Sequence, residues 1–176
     1  MKFEPCGLCQ SHDTADCYYF MDISTHLDQS TIVKGLEVDN KEELINKVID
    51  LLEPKVSDDQ LAKIRDAVFL REEIMSTGIG KQLAIPHGKC DSLNEIFAAF
   101  AILDETVDFD SIDNQPVKMV FLLVGPNDQS SQHIKLLSRI SRLMNSQAFR
   151  EKLLECNDSE DIFETFQSEE KEYFGI

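Results

Sequence analysis

The feature that most constrains the fold is a pair of long, mainly apolar segments in the middle of the chain, Ile96–Leu103 and Val117–Val124. Each is far shorter than the roughly 18 residues that a membrane span needs, and each is bounded by polar or turn residues. A short apolar run of this kind predicts a strand that is covered on both faces. Because amphipathic helical patterns precede and follow both segments, we predict an α/β domain whose sheet carries helices on both faces.

The segment before these strands predicts one further strand, Thr31–Val38, and two helices. Asp39 and Glu42 have the spacing of a capping box, in which two side chains satisfy free backbone N–H groups at a helix start. Ser57 and Gln60 repeat that spacing at the start of the second helix. Apolar residues at helical spacing define the inward faces, namely Leu44, Ile45, Val48, Leu51 and Leu52 in the first helix and Leu61, Ile64, Val68 and Ile74 in the second.

Three helices are predicted after the second apolar strand. The first follows a polar loop at residues 127–132, and the others span Gln147–Cys156 and Ser159–Tyr173. The first helix is expected to bury Ile134, Leu137, Ile140, Leu143 and Met144 and to expose Lys135, Arg139 and Arg142. Residues 151–176 hold nine acidic residues against two lysines, but they also contain an apolar stripe. We therefore expect an acidic helix that docks onto the domain.

The charge of the chain excludes several classes of partner. Its 176 residues include 17 lysines and arginines and 33 aspartates and glutamates, for a formal net charge of −16. Nucleic acids and anionic lipid surfaces require clustered positive charge, so neither is expected. A solubilising surface and an attraction for a basic protein partner both remain open. The first twenty residues lack the pattern of a secretory signal, so we expect a cytoplasmic protein with reduced thiols.

Residues 1–20 differ from the rest and are interpreted as a Cys-rich N-terminal extension. They carry a cluster of metal-ligating side chains, Cys6, Cys9, His12 and Cys17. Such ligands suit zinc, but this tight spacing fits no strong zinc template. A disordered extension, or a start of translation at Met21, is the preferred explanation of the segment. We predict a folded domain over residues 21–176 and assign no metal to the chain.

The segment Ser76–Gly88 holds the residues best suited to chemistry. Its two early glycines allow backbone angles closed to other residues, and a short apolar strand, Leu83–Ile85, follows them. Pro86 fixes the direction of the chain, and Gly88 leaves room above the imidazole of His87. The pattern indicates a histidine held at a sheet edge where a bulky group can approach. A histidine that caps the strand end by bonding a carbonyl is the structural alternative.

Two further side chains depend on the fold for their role. Arg71 ends the second helix, where it can pair with Glu72 or Glu73 or with the helix C-terminus. Alternatively, its planar guanidinium clamps an oxyanion beside His87. His133 lies in the first turn of the long helix, as a surface or capping residue, unless the fold brings it to His87. In that case one imidazole can act as a nucleophile while the other orients it or donates to a bound anion.

The motif Ser76-Thr77-Gly78-Ile79-Gly80, followed after three residues by Ala84-Ile85-Pro86-His87-Gly88, resembles the signature of a known family. These are enzyme IIA domains of the mannitol, fructose and nitrogen-regulatory group, which belong to the bacterial phosphoenolpyruvate-dependent phosphotransferase system (PTS). The resemblance extends from about Asp22 to Phe174. It implies one domain with a mixed β-sheet flanked by helices on both faces.

The resemblance also implies an activity and a set of site residues. His87 is expected to be the phosphorylated residue of a phosphotransferase that accepts a phosphoryl group from phospho-HPr or its paralogue. Arg71 stands sixteen residues earlier, as in the family, and would neutralise phosphoryl oxygens, while His133 would donate a hydrogen bond to them. Backbone N–H groups of the glycine turn are expected to add a phosphate-binding nest, formed by Thr77, Gly78 and Gly80. No metal or organic cofactor is implied.

Two functions share this local motif. In a nitrogen-regulatory domain, the phosphorylation state of His87 controls binding to target proteins. In a sugar-specific IIA domain of the fructose or mannitol type, His87 passes the phosphoryl group to a IIB domain, and uptake follows through a membrane-bound IIC partner. We favour the regulatory function, because no IIB or IIC segment is attached in this chain. A metal-dependent hydrolase that uses His87 and His133 is the third hypothesis, and no further ligand stands at a recognisable spacing.

Overall fold

The structure, a computed structural model, describes residues 22–175. Its helices are α1 (Ile23–His26), α2 (Lys41–Asp50), α3 (Asp58–Ile74), α4 (Ser130–Asn145), α5 (Gln147–Glu155) and α6 (Ser159–Phe174). Its strands are β1 (Leu27–Leu36), β2 (Gly78–Gly80), β3 (Leu83–Ala84), β4 (His87–Lys89), β5 (Phe97–Val107) and β6 (Val117–Gly125). A short 3₁₀ turn (Asn127–Gln129) joins β6 to α4.

The strands form one mixed sheet in the order β1-β5-β6-β3-β2. Strands β1 and β5 are parallel, β5 and β6 are antiparallel, and β3 and β4 both run parallel to β6 along its other edge. Pro86 separates β3 from β4 and contributes no N–H group, but its carbonyl oxygen accepts a hydrogen bond from the Leu123 amide at 3.1 Å. This sheet confirms the predicted mixed architecture.

The two faces of the sheet have separate cores, because successive side chains of a strand point to opposite faces. Helices α4, α5 and α6 cover one face, where Phe100, Phe121, Phe149 and Phe166 pack with ring centroids between 5.1 and 5.9 Å apart. Helices α2 and α3 cover the other face. The prediction of helices on both faces is therefore confirmed.

Two strands differ in extent from the sequence prediction. Strand β1 begins at Leu27 and ends at Leu36, and β5 continues past Leu103 to Val107. The pairing of Val107 with Val117 keeps β5 in the sheet. Polar, exposed residues between Leu103 and Val107 hid this extension, since apolar periodicity does not detect a strand end that faces solvent.

One of the two predicted capping boxes is correct and the other is displaced. The Ser57 hydroxyl accepts from the Gln60 amide, and the Gln60 side chain accepts from the Ser57 amide at 3.0 Å. At α2, by contrast, Asn40 rather than Asp39 is the N-cap, and it accepts from the Glu43 amide at 2.9 Å. Asparagine and aspartate cap equally well, so spacing alone could not choose between adjacent positions.

The first turn of α4 is rotated relative to the prediction. His133 and Leu136 are buried, whereas Ile134 is 62% exposed. Arg139, expected on the surface, is largely buried and pairs with Asp22 at 3.1 Å. Two apolar faces fit the sequence of this helix, and its contact with the end of β6 selects the one that carries His133.

Helices α3 and α6, on opposite faces of the sheet, differ in the burial of their C-terminal ends. Ile74 was predicted to be inward, but it is 76% exposed at the last residue of α3. The acidic helix α6 is docked as predicted, with Ile162 and Phe166 buried. Its Glu170 is buried as well and accepts hydrogen bonds from the Ile23 and Ser24 amides. None of the helices within residues 22–175 has the length and apolar content to cross a bilayer.

Candidate active site

The site is built where β4 packs directly against the backbone of α3. A β-carbon added to Gly88 would lie 3.0 Å from the Val68 backbone nitrogen, closer than real β-carbons normally approach. Glycine therefore allows a contact between strand and helix that any other residue would widen. Because β4 lies so close to α3, Arg71 in the last turns of α3 reaches His87, the first residue of β4.

Both ring nitrogens of His87 have a partner, and the partners define its tautomer. Nδ1 lies 2.8 Å from the carbonyl oxygen of Ile85, and Nε2 lies 3.1 Å from Nε of Arg71. A carbonyl can only accept and a guanidinium can only donate. The proton therefore resides on Nδ1, and the lone pair of Nε2 faces Arg71. The hydrogen bond to a carbonyl, which is the structural alternative given above, is present, and it leaves the lone pair on Nε2.

Arg71 is held in place by a second contact. Its Nη1 donates to the carbonyl oxygen of Met75 at 2.9 Å, beyond the C-terminal end of α3. Both environments considered from sequence, the helix end and His87, are thus combined in one side chain. Glu72 is not the ion-pair partner of Arg71, because its carboxylate contacts Thr77 and Lys41 instead.

Burial is the main cause of the pKa shift of His87. The half-buried ring loses hydration of its charged form, which lowers the pKa below the ordinary 6.5. The hydrogen bond to the Ile85 carbonyl opposes this shift, and the nearby positive charge of Arg71 adds to it. His87 is consequently a neutral imidazole at pH 7, which is the form that can attack an electrophile.

His133 lies beside His87 but in a different environment. The ring centroids are 6.2 Å apart at an angle of 56°, and His133 is only 1% exposed. Neither of its ring nitrogens has a hydrogen-bond partner within the described chain. Burial, followed by the charges of His87 and Lys89, lowers its pKa to about 4. His133 is neither a surface residue nor a helix cap, and it presents an unused donor and an unused acceptor to the site.

Glu72 anchors the glycine-containing hairpin to α3. Both of its carboxylate oxygens lie 3.0 Å from the Thr77 amide nitrogen, and Oε2 also accepts from the Thr77 hydroxyl. Lys41 completes the cluster with an ion pair at 2.9 Å. The sequence analysis missed this anchor, and a buried acid next to Arg71 gave no local signal for it.

The turn residues predicted to form a phosphate nest are arranged differently from that expectation. The amide of Thr77 donates to Glu72, and the amide of Gly78 donates to the Ser76 hydroxyl. Gly80 pairs with Leu83, which lies four residues before His87. The φ of +87° at Gly80 belongs to the hairpin turn between β2 and β3. In this conformation the amides of Thr77 and Gly78 are already hydrogen-bonded to side chains of the same chain. The glycines instead serve packing: a β-carbon on Gly78 would lie 2.6 Å from the Ser111 hydroxyl oxygen.

The described residues contain no group of three or more His, Cys, Asp or Glu side chains that could hold one metal ion. His87 and His133 therefore have no third ligand within residues 22–175, and the hydrolase hypothesis finds no support there. The cluster of Cys6, Cys9, His12 and Cys17 lies outside the described residues.

The fold and the site together define a class: a mixed-sheet α/β domain with a neutral, arginine-bonded histidine at a sheet edge. A family model described as "Phosphoenolpyruvate-dependent sugar phosphotransferase system, EIIA 2" matches residues 25–169. The chain belongs to this family and is a IIA domain of the PTS. IIA domains carry phosphoryl groups between proteins, so the chain is a phosphotransferase component.

Curated relatives come from both branches of the family. A nitrogen regulatory protein of Bradyrhizobium diazoefficiens is 34% identical over 81% of this chain and 93% of that protein. The fructose-specific EIIABC component of Bacillus subtilis is 33% identical over 86% of this chain. The match spans only 24% of the length of the Bacillus protein.

Solved structures share the fold. The nitrogen regulatory protein IIA-Ntr of Neisseria meningitidis superposes with a TM-score of 0.75 at 30% identity, over 82% of this chain and 98% of that one. The mannitol IIA of Escherichia coli, solved in complex with phosphorylated IIB, gives a TM-score of 0.66 at 19% identity, over 79% and 95%. The second likeness supports the fold alone.

Proposed function

We propose that this protein is a phosphohistidine carrier whose acceptor atom is Nε2 of His87. The observation that carries the proposal is the fixed tautomer: the Ile85 carbonyl holds the proton on Nδ1, so Nε2 keeps its lone pair. In the transfer, the P–N bond to the donor histidine breaks as the bond from phosphorus to Nε2 forms. The donor imidazole leaves with the electron pair of the broken bond, and the Nδ1 proton of His87 stays in place.

Arg71 and His133 are proposed to receive the phosphoryl oxygens. Phosphoryl transfer needs alignment and charge stabilisation more than covalent assistance. The guanidinium of Arg71 already donates a hydrogen bond to the lone pair of Nε2, and after phosphorylation it would donate to a phosphoryl oxygen instead. The buried ring of His133, with neither nitrogen bonded, would donate to a second oxygen. The pKa of about 4 keeps the ring of His133 uncharged at pH 7, so the ring would act as a neutral hydrogen-bond donor.

We propose phospho-HPr or its paralogue as the donor and regulation of target proteins as the physiological output. Two similarities favour the regulatory branch, namely the nitrogen regulatory relative that is covered over 93% of its length and the Neisseria structure at 30% identity. A sugar-specific function, with transfer from His87 to a IIB domain, is the second candidate. It is favoured by the similarity to the fructose-specific Bacillus component, whose name joins A, B and C parts.

A transfer assay with two arms tests the proposal. The protein is charged by phosphoenolpyruvate with purified enzyme I and HPr, or their nitrogen-related paralogues, and ³¹P NMR identifies the phosphohistidine isomer. We expect the Nε2 isomer on His87, and an Nδ1 isomer or phosphorylation elsewhere would contradict the proposal. Charged protein is then offered to fructose- and mannitol-type IIB domains, while charged and uncharged forms are used in pull-downs. Rapid transfer to a IIB domain would favour sugar uptake, and a target retained by only one form would favour regulation.

A further inference from the structure

Lys89 stands beside the proposed phosphoryl site without a carboxylate partner. Within residues 22–175 it forms no ion pair, although the chain carries 33 acidic residues. Its Nζ instead donates to the hydroxyl of Ser130 at 2.9 Å. Ser130 is the first residue of α4 and in turn donates to the Asn127 carbonyl oxygen. The ammonium group of Lys89 is therefore hydrogen-bonded to an uncharged acceptor at the start of α4.

The strand geometry places Lys89 on the same side of β4 as His87. Residues i and i+2 of a strand project from the same face, and Gly88 between them faces the backbone of α3. Lys89 consequently projects toward the first turn of α4, which holds both Ser130 and His133. Arg71 approaches from α3, so the two cations approach His87 from different helices.

The charge of Lys89 is felt at both histidines. It lowers the pKa of His87 and the pKa of His133, in each case as the smallest of the causes, with burial as the largest. Glu72 is the acidic group that acts on His87 in the opposite direction. A positive charge held at the first turn of α4, which also carries His133, favours a dianion placed between the two rings.

We propose that Lys89 is a second cationic ligand of the phosphoryl group, released from Ser130 when His87 is phosphorylated. This inference rests on the proposed function. A phosphoryl group brings a charge of about −1.5 to −2 and three acceptor oxygens, whereas Arg71 and His133 account for only two contacts. A flexible lysine can leave a neutral hydroxyl for a charged oxygen, because charge-assisted hydrogen bonds are roughly twice as strong as neutral ones.

The test measures the equilibrium between charged HPr and this protein, as the fraction phosphorylated at a fixed donor ratio. Lys89→Met should lower that equilibrium constant about tenfold, the effect expected of one charge-assisted contact. Lys89→Arg should restore most of the loss. The matched control is Lys63→Met, which removes the same charge from the wall of the cavity that both lysines line, where Lys63 pairs with Asp59. It should leave the constant unchanged.

The Ser130→Ala variant separates a phosphoryl contact from a structural role. We expect it to leave the constant unchanged or to raise it slightly, because the hydroxyl stabilises Lys89 only in the unphosphorylated state. Equal losses in the two variants would mean that Lys89 merely supports the start of α4, and the proposal would be overturned. A constant unchanged in Lys89→Met would overturn it as well. Failure of the wild-type protein to accept phosphate on His87 would instead contradict the proposed function.

Discussion

The ring centroids of the two histidines of the site lie 6.2 Å apart, and the two rings differ in their burial and in their hydrogen bonding. His87 is half-buried with both nitrogens bonded, whereas His133 is buried with neither nitrogen bonded. A ring with a fixed tautomer and one directed lone pair is prepared to form a bond. A buried ring without a hydrogen-bond partner in the described chain gains from a bound anion, because a buried polar group without a partner is costly. We propose that an anion between the two rings would accept a hydrogen bond from the unbonded ring of His133.

The largest effect is expected from removing the bonded ring. His87→Ala should abolish phosphoryl uptake from charged HPr while leaving the circular dichroism spectrum and the melting temperature close to wild type. The acceptor nitrogen is lost, and no other described histidine has a lone pair directed at Arg71. The matched control is His26→Gln, which removes another half-buried histidine whose Nδ1 lies 3.2 Å from the Ile96 carbonyl oxygen. Continued phosphorylation of His87→Ala would refute the assignment.

Removing the partner of that ring should have the next largest effect. Arg71→Ala should slow phosphoryl transfer by about 10²-fold, the size seen when one preorganised oxyanion donor is lost, and weaken carrier binding much less. Stopped-flow transfer rates and titration calorimetry with the carrier measure the two quantities. Arg142→Ala, an exposed arginine of α4, is the control for lost positive charge. If Arg71→Ala transferred at the wild-type rate, the arginine would have no part in the mechanism.

The unbonded ring should contribute less to the rate and more to the pH dependence. We expect His133→Gln to slow transfer about tenfold, because only one donor to the phosphoryl group changes. The folded-state pKa of about 4 lies below the ordinary 6.5. As the pH falls below about 6.5, the unfolded chain therefore takes up a proton that the folded chain refuses. The stability contribution of neutral His133 is thus complete above pH 6.5 and is lost as the pH falls toward 4.

Denaturant unfolding at a series of pH values checks this sign. Between pH 6.5 and pH 4, the wild-type protein should lose up to about 3 kcal/mol more unfolding free energy than His133→Gln. Two parallel curves would show that the ring of His133 is hydrated in solution, and the contrast between the two histidines would weaken.

The smallest effect on transfer is expected from the support behind the site. Glu72→Gln should lower the unfolding free energy by about 1 to 3 kcal/mol and slow transfer only a few-fold. The amide has one fewer acceptor oxygen for Thr77 and loses the ion pair with Lys41. Its exposed neighbour provides the control, since Glu73→Gln should change stability by less than about 0.5 kcal/mol. Equal effects of the two variants would show that the hairpin does not depend on Glu72.

Parts of the fold were predictable because their signals are local. Ser57 and Gln60 formed the expected capping box, and the two central apolar segments became the buried strands β5 and β6. Errors arose where two local solutions were equivalent. Asp39 and Asn40 are both good caps, and α4 could bury either Ile134 or His133 together with its other apolar residues. Contacts distant in sequence made both choices.

The candidate site divides in the same way. The motif around His87 pointed to the residue that we propose as the phosphoryl acceptor, and the family resemblance predicted Arg71 and His133 beside it, as the structure has them. The predicted nest at Thr77 and Gly78 failed to account for Glu72 and Ser76, which already occupy those amides. The alternation of side chains along β4 places Lys89 on the same face as His87, which could have drawn attention to it. Only the folded structure shows that Lys89 contacts Ser130 at the start of α4.

By itself, the sequence determined which segments become helices and strands and which imidazole follows the proline at the strand break, because these depend on residues a few positions apart. The tertiary structure decided which nitrogen of His87 carries the proton and why His133 is buried without a hydrogen-bond partner in the described chain. It also decided that the ammonium group of Lys89 donates a hydrogen bond to the hydroxyl of Ser130. Protonation and hydrogen bonding depend on the solvent removed and the charges brought near, and both are set by segments that meet only when the chain has folded.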